Sequence, residues 1–538
     1  MPVACALLRG PLTAPLPPPP ERSMSLRLVL GLVGMLLACI GADINQEATS
    51  LALADVRGAF GYSVDQGSWF TTLYSIGAAM GMLVAPWLAM TFSVRRFAAV
   101  AAVSLGLLGL ACAATESRSL LLMLRWCQGL TTGFLIPLLM MVALRFLTPA
   151  LKLFGLAAYG LTATFAPNIA MPVVAWAHHG PGIGFVFWAV LPLCLVASGL
   201  ILHGLPQDPP RLARWRQFDW LGWGLGWALC ASVVTLFAQG ERLDWLHSPL
   251  IRGLALASLV LLPLFLWRCA FGPAPLIRPQ LLRRVNFGFG VCMLVGVIAL
   301  GASSASLPAE FLAEVQGYRP LQSLPVTLAV ALPPLMILPL AALVLNVERI
   351  DSRWIMASGL LLMAAASWSN SHVTLAWMRE QFYVAQVVFA IGQSMVVVGL
   401  LMTATAVVDP MEGPFASATI NTSRALAGPV AGGLIGHYLA VAIDRHAHAL
   451  MERLGTMRFS LMQSAPLSGH GREALSWPMG GPGGEALLQL HERIDAQATV
   501  LAYADAWRLM ALLALLLVPL CLLPKRTHAP RFNRPRPI

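Results

Sequence analysis

The sequence predicts an all-α, polytopic membrane protein, and three observations support that prediction. Hydrophobic residues make up 58% of the 538 residues, charged residues only 11%, and the mean hydropathy is +0.73. A chain with this balance does not fold with water as its main solvent. The apolar residues form runs of about 20 residues, which is the length that a helix needs to cross a bilayer. The basic residues, finally, gather in alternate loops between these runs.

Fourteen apolar runs follow one another from Leu26 onward, and each predicts a membrane-spanning helix. The first is not a cleaved signal peptide, because it is too long and contains acidic and amide side chains. No alternation typical of a membrane β-barrel is visible. The runs cover approximately residues 26–52, 66–90, 97–115, 120–147, 152–177, 183–204, 219–239, 250–271, 286–311, 321–345, 354–370, 381–405, 414–443 and 506–523.

The distribution of Lys and Arg predicts the orientation, since basic short loops stay in the cytoplasm. With the N-terminus inside, most of the 35 basic residues fall in cytoplasmic segments, so we expect both termini to be cytoplasmic. The proline-rich residues 1–25 predict a disordered tail, with either Met1 or Met24 as the start. Residues 524–538 predict a second, basic tail.

The segment of residues 444–503 is the only sizeable polar stretch after the first span, and the topology places it outside. It contains a Gly/Pro-rich part followed by a helical pattern from Glu485 to Trp507. Two interpretations remain open: an inert linker, or a docking surface for a periplasmic partner.

Several classes of site are not expected. His446 and His448 lack a third ligand at a fixed spacing, so we predict no metal site. The nine cysteines form no disulfide framework and no CxxC pair. The net charge of +11 is scattered among loops, which does not favour nucleic-acid binding. We expect no cofactor, and the chain has no ATP-binding loop motif.

Polar side chains in the first span are the strongest functional signal, because an ionisable group in a membrane helix is unfavourable unless it is paired or hydrated. Asp43, Gln46, Glu47 and Ser50 share one helical face, and Asn45 lies among them. Two carboxylates one turn apart repel each other, so at least one is expected to take up a proton. The alternative is that the two acids lie near the outer water boundary.

The fourth span has the opposite charge on its polar face. Arg125, Gln128 and Thr132 lie at i, i+3 and i+7. An arginine at this depth needs a carboxylate or a set of carbonyls, and we expect it to pair with Asp43 or Glu47. A purely structural arginine that caps neighbouring carbonyls is the alternative.

Two later spans contain further polar or helix-breaking residues. Pro167 is expected to kink the fifth span and to free carbonyls for Asn168. Asn421 and Arg424 lie at i and i+3 in the thirteenth span. The glycines between 428 and 433 that follow are small enough for close helix packing, and packing alone is one interpretation of them.

Several of these motifs resemble the major facilitator superfamily, and specifically its fourteen-helix drug:proton antiporter branch of EmrB/QacA type. Arg125-x-x-Gln128-Gly129, followed by Gly133 and Pro137, is similar to the R-x-x-Q-G motif of that branch's fourth helix. Residues 307–318 resemble its helix 9 to 10 junction, and residues 497–505 resemble the entry to its last helix. The resemblance covers nearly the whole chain after the tail.

The chain departs from the family pattern at two places. The loop between helices 2 and 3 keeps Arg95 and Arg96 but lacks the usual glycines and aspartate. The fifth helix lacks the G-P-x-x-G-G motif, which occurs instead at residues 428–433, in the helix expected to be its pseudo-symmetric counterpart.

The resemblance implies a major facilitator fold. Its two six-helix bundles would cover residues 26–204 and 286–523, with two inserted helices in residues 219–271, giving fourteen transmembrane helices. It also implies proton-coupled multidrug or small-molecule efflux across a bacterial inner membrane by alternating access. Asp43, Glu47 and Arg125 would couple protons. Similar proteins often work with a periplasmic adaptor and an outer-membrane channel. The residues expected in the substrate cavity or gate are Asn45, Gln46, Gln128, Gly129, Pro167, Asn168, Asn421 and Arg424.

Two other functions remain as alternatives. A proton-coupled uptake permease for an organic acid or similar nutrient would use Arg125 or Arg424 to bind a carboxylate. A membrane-embedded acyltransferase would need a catalytic histidine in a cavity, and His437 lacks an acid nearby in the sequence. The chain is therefore not expected to be an enzyme.

Overall fold

A computed structural model of the chain describes residues 26–464 and 482–527, apart from residues 181, 273, 305 and 348. This part of the chain is helical and contains no strand. The predicted tail of residues 1–25, the end of the basic tail from 528 onward and the middle of the predicted external loop lie outside the described residues.

The helices follow the order of the apolar runs. Those of the first part of the chain are α1 Leu26–Leu51, α2 Leu53–Phe60, α3 Val64–Phe92, α4 Val94–Ala114, α5 Arg118–Phe146, α6 Pro149–Thr164, α7 Met171–His179, α8 Phe185–Trp188 and α9 Leu191–Gly204. Those of the second part are α10 Trp220–Gln239, α11 Pro249–Phe271, α12 Val285–Gly301, α13 Leu307–Gln316, α14 Pro320–Leu345, α15 Ser352–Asn370, α16 Arg379–Thr405, α17 Gly413–Ser464 and α18 Pro482–Leu520.

Eleven helices within the described residues are long and apolar enough to cross a membrane. A twelfth crossing is formed if Leu151–Thr164 and Pro167–Ala177, which are bent by 48° at Pro167, count as one span. The predicted runs 286–311 and 354–370 contain α12, which is short at 17 residues, and α15, which is less apolar. The count of fourteen spans therefore stays a prediction.

Local sequence explains where several helices begin and end. Ser63 and Gln66 form a reciprocal capping box at the start of α3, and the Asp219 carboxylate accepts from the amide of Gly222 at the start of α10. Gly61 and Gly317, both with a φ of 65°, end α2 and α13 in the left-handed conformation that glycine adopts without strain.

The outer surface of the helices is apolar. In α11 only 11% of the most hydropathic window is buried, and Leu259, Trp267 and Phe271 are exposed. A water-soluble protein seldom exposes so many large apolar side chains on one element. This surface faces lipid, and α11 lies at the perimeter of the bundle.

The helices pack into two groups, with α10 lying between them. In the first group α3 packs on α5, and α1 and α4 pack on α9; in the second, α16 packs on α14 and α15. The groups meet where α3 and α5 contact α17 and where α6 contacts α14 and α16. Helix α10 contacts both α3 and α17. The interface between the groups therefore lies at α3, α5, α6, α14, α16 and α17.

The junction of α3 and α4, where the family's aspartate is missing, is held by the linker after α9. The amide of Arg211 donates to the carbonyl of Thr91 at 2.8 Å. Asp208 accepts from Arg145, at the end of α5, at 2.6 Å. The ring of Trp87 packs on that of Phe218, with 4.5 Å between centroids. The linker thus supplies a carboxylate at this end of the first group.

Both described parts of the predicted external loop of residues 444–503 are helical continuations of membrane helices. The helix after residue 482 agrees with the helical pattern predicted from Glu485, whereas the helix over residues 444–464 was not expected. Helix α17 has 52 residues and α18 has 39. At 1.5 Å per residue, α17 is about 78 Å long, well beyond the bilayer core of about 30 Å. Residues 444–464 contain no proline, and nine of the 21 are Leu, Met or Arg, which favours continuation of the helix.

Candidate functional site

Two arginines organise the polar interior: Arg125 is buried, and the side chain of Arg424 is 14% exposed. We call the residues around the first the Arg125 cluster: Asn45, Tyr74, Arg125 and Gln128. We call those around the second the Arg424 cluster: Asp43, Tyr159, Thr162, Asn421 and Arg424. Helix α1 contributes to both clusters, since Asp43 and Asn45 lie two residues apart on it.

Arg125 on α5 is 1% exposed and is held by uncharged groups. Its Nη1 donates to Oδ1 of Asn45 at 3.3 Å and to Oε1 of Gln128. The guanidinium lies over the ring of Tyr74, 4.3 Å from its centroid, in cation–π geometry. Its Nε is buried and has no hydrogen-bond partner among the described residues. Amide oxygens and a π face therefore stabilise this charge.

The partners of Arg125 are themselves fixed. Nδ2 of Asn45 donates to the carbonyl of Phe187 at 3.0 Å, and Nε2 of Gln128 approaches the same carbonyl at 3.5 Å. The Tyr74 hydroxyl lies 2.5 Å from that of Thr132. All of these residues belong to α1, α3, α5 and α8, so the Arg125 cluster lies within the first helix group.

Gly129 explains why this motif needs a glycine after the glutamine. A Cβ at Gly129 would overlap the carbonyl oxygen of Tyr74, and one at Gly133 would overlap that of Ala78. On the facing helix, a Cβ at Gly77 would meet the carbonyl of Trp126. The glycines let α3 and α5 approach closely, which brings the Tyr74 ring beneath the guanidinium of Arg125.

The predicted pairing of Arg125 with Asp43 or Glu47 was wrong for this structure. Among the described residues no carboxylate lies within ion-pair distance of Arg125, and the α1 residue that contacts it is Asn45. At 100° per residue, Asn45 points about 200° away from Asp43 around the helix axis. The acidic face of α1 therefore points away from Arg125.

Asp43 instead faces Arg424 of the second helix group. Its Oδ1 lies 3.8 Å from Nη2 of Arg424, which is too long for a hydrogen bond but within ion-pair distance. Asp43 is 6% exposed, and its Oδ2 has no hydrogen-bond partner among the described residues. The carboxylate is thus buried, near one positive charge, and short of donors.

Arg424 is bound more tightly to α6 than to Asp43. Its Nη1 donates to the Thr162 hydroxyl at 2.8 Å, and its Nη2 donates to the Thr162 carbonyl at 2.7 Å. Its guanidinium also lies 5.9 Å from the centre of the Tyr159 ring. Because Arg424 belongs to α17 and Thr162 to α6, these bonds cross between the two helix groups.

A chain of hydrogen bonds continues from the Arg424 cluster along the same interface. The Tyr159 hydroxyl donates to Oδ1 of Asn421 at 2.8 Å, and Nδ2 of Asn421 donates to the carbonyl of Ser417 at 2.8 Å. The Ser417 hydroxyl donates to the carbonyl of Pro137 on α5 at 2.7 Å. Asn421 and Arg424, predicted from their spacing, thus both lie at the contact between the groups.

Gln46 and Glu47 lie beside Asp43 on α1 and are partly exposed. Nε2 of Gln46 approaches Oε1 of Glu47 at 3.4 Å. Glu47 is the more exposed of the two acids. Among the predicted acids, Asp43 is therefore the one enclosed at the interface.

Pro167 and Asn168 form the bend between α6 and α7. Nδ2 of Asn168 donates to the carbonyl of Thr164 at 2.7 Å, so the amide uses a carbonyl beside the proline as predicted. This bond stays within its own segment and joins neither cluster. In α17, a Cβ at Gly433 would meet the carbonyl of Phe237 on α10, whereas Gly428 and Gly432 face open space.

No group of three or more His, Cys, Asp or Glu side chains in the described residues is arranged to hold a metal ion. Nε2 of His446 lies 2.9 Å from Oδ2 of Asp505, and Nδ1 of His448 lies 2.7 Å from the carbonyl of Asp444. The first contact joins α17 to α18, and the second stays within α17.

Several residues in the two clusters, or hydrogen-bonded to them, were not predicted as site residues. Thr162 and Ser417 gave no signal, since hydroxyls are common in apolar helices. Tyr74 and Tyr159 carried a weak one, because the chain has only seven tyrosines and a buried tyrosine hydroxyl usually finds a polar partner.

The comparison with known families decides what kind of protein carries these clusters. The family model described as Major Facilitator Superfamily matches residues 32–432. The chain belongs to the Major Facilitator Superfamily. It is a multi-pass membrane transporter and not an enzyme.

One similar member of the superfamily is the multidrug export protein EmrB of Escherichia coli (strain K12). The two sequences are 24% identical over 294 aligned residues, which cover 54% of this chain and 57% of EmrB. The chain is 23% identical over 273 residues to the fatty acid resistance protein FarB of Neisseria gonorrhoeae, covering 51% and 53% respectively. The chain thus spans just over half the length of these relatives.

A solved structure shares the major facilitator fold with this chain. It is a bacterial homologue of the human lysosomal transporter Spinster, in an inward-facing and unoccupied conformation. The TM-score is 0.52 at 13% identity, and the match covers 93% of this chain and 98% of the other. At this identity the similarity shows the fold alone.

Proposed function

We propose that the protein is a proton-coupled antiporter that exports small amphipathic or aromatic compounds by alternating access. The observation that carries this proposal is the position of Asp43, a buried acid facing Arg424 across the contact between the two helix groups. A group that binds protons at that interface can link protonation to the relative movement of the groups.

The physical link is the charge of Asp43. When Asp43 is ionised, it attracts Arg424 and helps to hold α1 against α17. A proton that enters from outside neutralises the carboxylate and removes this attraction, which leaves Arg424 bound to α6 alone. Release of the proton toward the cytoplasm restores the pair and resets the transporter. Glu47, which is more exposed, lies between Asp43 and the end of α1 and is placed to relay protons.

In this proposal Arg125 acts as a fixed positive charge inside the first group. It is oriented by Asn45 and Gln128. Gly129 permits the helix approach that places Tyr74 beneath it. The polar chain of Asn421 and Arg424 forms the movable contact, and the bend at Pro167 and Asn168 lets α6 and α7 adjust around it.

The names of the relatives support export as the direction of transport. One is described as a multidrug export protein and one as a fatty acid resistance protein, and both descriptions fit amphipathic substrates. We place the protein in a bacterial inner membrane with both termini in the cytoplasm. The extended helices α17 and α18 would then project outside and offer a surface to a periplasmic adaptor joined to an outer-membrane channel.

A second candidate is an uptake permease for an organic acid, and one observation favours it. Arg125 has no carboxylate within ion-pair distance among the described residues, so a substrate carboxylate would supply the missing countercharge. This candidate predicts proton symport into the cell, and the antiporter predicts the opposite direction for the substrate.

The test is transport of a panel of dyes and aromatic acids in inverted membrane vesicles driven by an imposed proton gradient. Asp43→Asn is expected to abolish gradient-driven accumulation almost completely, and Glu47→Gln to reduce it, because neither amide carries a proton. Glu116→Gln, at an exposed position between α4 and α5, is the matched control and should transport like the wild type.

Each outcome separates the candidates. Accumulation in Asp43→Asn equal to the wild type, at equal expression, would reject Asp43 as the coupling acid. Uptake of an aromatic acid together with protons into right-side-out vesicles, with no dye transport into inverted vesicles, would favour the permease.

A further inference from the structure

A cavity of about 260 Å³ opens at the end of the bundle where α11 ends and α12 begins. Its walls include Arg278, Gln280, Leu281 and Arg284, and Glu412 lies at its side from the turn before α17. The cavity contains no residue of either arginine cluster, and neither the transport mechanism nor the family comparison assigns it a role.

Glu412 does not make this cavity acidic. Its two carboxylate oxygens accept from Nη1 and Nη2 of Arg284 at 2.6 and 2.9 Å, in a bidentate pair. Nη1 of Arg284 also donates to the carbonyl of Val407. The charges of this pair cancel, so the charge that the cavity presents is that of the remaining arginine.

Arg278 is that arginine, and its hydrogen-bonding edge is free. Its guanidinium lies 4.3 Å from the centre of the Phe415 ring, which fixes its plane. Among the described residues no carboxylate lies within ion-pair distance of Arg278, and no side-chain hydrogen bond uses its N–H groups. A guanidinium held in this way presents two donors side by side, which is the geometry that binds a phosphate.

The wall beside the cavity is a lipid-facing surface. Trp267 and Phe271, in the last turns of α11, are exposed, the latter by 78%. Tryptophan is typical of the boundary between the acyl chains and the headgroups. Arg283 is exposed in the turn before α12 and adds a second positive charge at the same level. The cavity therefore lies at headgroup depth, with an apolar helix running from it toward the middle of the bilayer.

We propose that this cavity binds the phosphate headgroup of an anionic phospholipid whose acyl chains lie along α11. Arg278 donates to the phosphate oxygens, and the chains cover the exposed apolar side chains of α11. Basic pockets beside membrane helices bind anionic headgroups in this way. Free phosphate could accept the same hydrogen bonds from Arg278 as a lipid headgroup, but it would leave the exposed apolar side chains of α11 uncovered.

The experiment is native mass spectrometry of the full-length protein after exchange into detergent that contains equal amounts of phosphatidylglycerol and phosphatidylcholine. The wild type is expected to retain phosphatidylglycerol preferentially. Arg278→Gln should retain roughly tenfold less, because a charge-assisted contact of about 1.4 kcal/mol or more is lost. Arg278→Lys keeps the charge without the fork and should fall between the two.

Arg252→Gln is the matched control, since it removes an exposed arginine at the start of α11, the end of that helix away from the cavity. It should retain phosphatidylglycerol like the wild type. Equal retention of both lipids by the wild type, or the same loss in Arg252→Gln as in Arg278→Gln, would overturn the proposal. Displacement of the lipid by millimolar inorganic phosphate would assign the cavity to a free anion instead. If Arg278→Gln does not fold, the comparison of Arg278→Lys with Arg252→Gln decides.

Discussion

The two interior arginines, Arg125 and Arg424, differ in what neutralises them. Arg125 is surrounded by amide oxygens and an aromatic ring, all within one helix group. Arg424 is bound by Thr162 of the other group and faces the carboxylate of Asp43. The first arrangement contains no partner that changes charge. The second contains a carboxyl group, the kind of side chain that can carry a proton, and its bonds cross the contact between the helix groups.

This difference separates a positioning charge from a coupling charge. A charge held by neutral groups inside one rigid bundle keeps its surroundings when the bundles move. A charge held across the contact must exchange partners at each transition, so protonation of its partner shifts that equilibrium. The following predictions test whether the separation is real.

The largest effect on stability is expected for Arg424→Met. Removal of this arginine leaves Asp43 buried without a cation, and breaking a buried pair in this way destabilises a protein by about 3–5 kcal/mol. The double variant with Asp43→Asn should recover much of that loss, because the unpaired charge is gone. Thermal unfolding in detergent measures both, and a double variant no more stable than the single one would show that the 3.8 Å pair carries no coupling energy.

Arg125→Met is expected to destabilise the protein by about 2 kcal/mol, since it leaves oxygens of Asn45 and Gln128 without their donor. Here the addition of Asp43→Asn should give no recovery, and the two changes should add within about 0.5 kcal/mol. The same unfolding assay measures this. A strong coupling between Arg125 and Asp43 would mean that the two meet in another conformation, and the comparison between the arginines would then fail.

A smaller loss of stability is expected for Gly129→Ala. This variant displaces the Tyr74 ring from Arg125 but leaves every charged side chain in place, so it tests the aromatic contact of Arg125 alone. The added methyl would overlap the Tyr74 carbonyl and force α3 and α5 apart, at about 1–3 kcal/mol. Gly432→Ala, in open space on α17, is the control and should stay within about 0.5 kcal/mol of the wild type. Equal unfolding temperatures for the two variants would show that the α3–α5 contact is looser than described.

Most of the fold follows from the sequence because a membrane leaves few choices. Apolar runs of about 20 residues must form helices, since unpaired backbone groups are too unfavourable in lipid. This reasoning predicted the helix bounds less well in two places. The predicted span of residues 286–311 is interrupted by the serines after Gly301, and residues 444–464, predicted as a loop, continue a membrane helix beyond the bilayer.

The sequence by itself also identified the polar groups, because any ionisable or amide side chain within an apolar run stands out. Asp43, Glu47, Arg125, Asn421 and Arg424 all came from that signal. Which acid faces which arginine was decided only by the tertiary structure. Spacing along a helix fixes the face on which a side chain lies, but the rotation of that helix against its neighbours depends on packing of the whole bundle. In α1 that rotation directs Asp43 toward α17 and Asn45 toward α5. The different roles that we propose for the two arginines rest on this rotation.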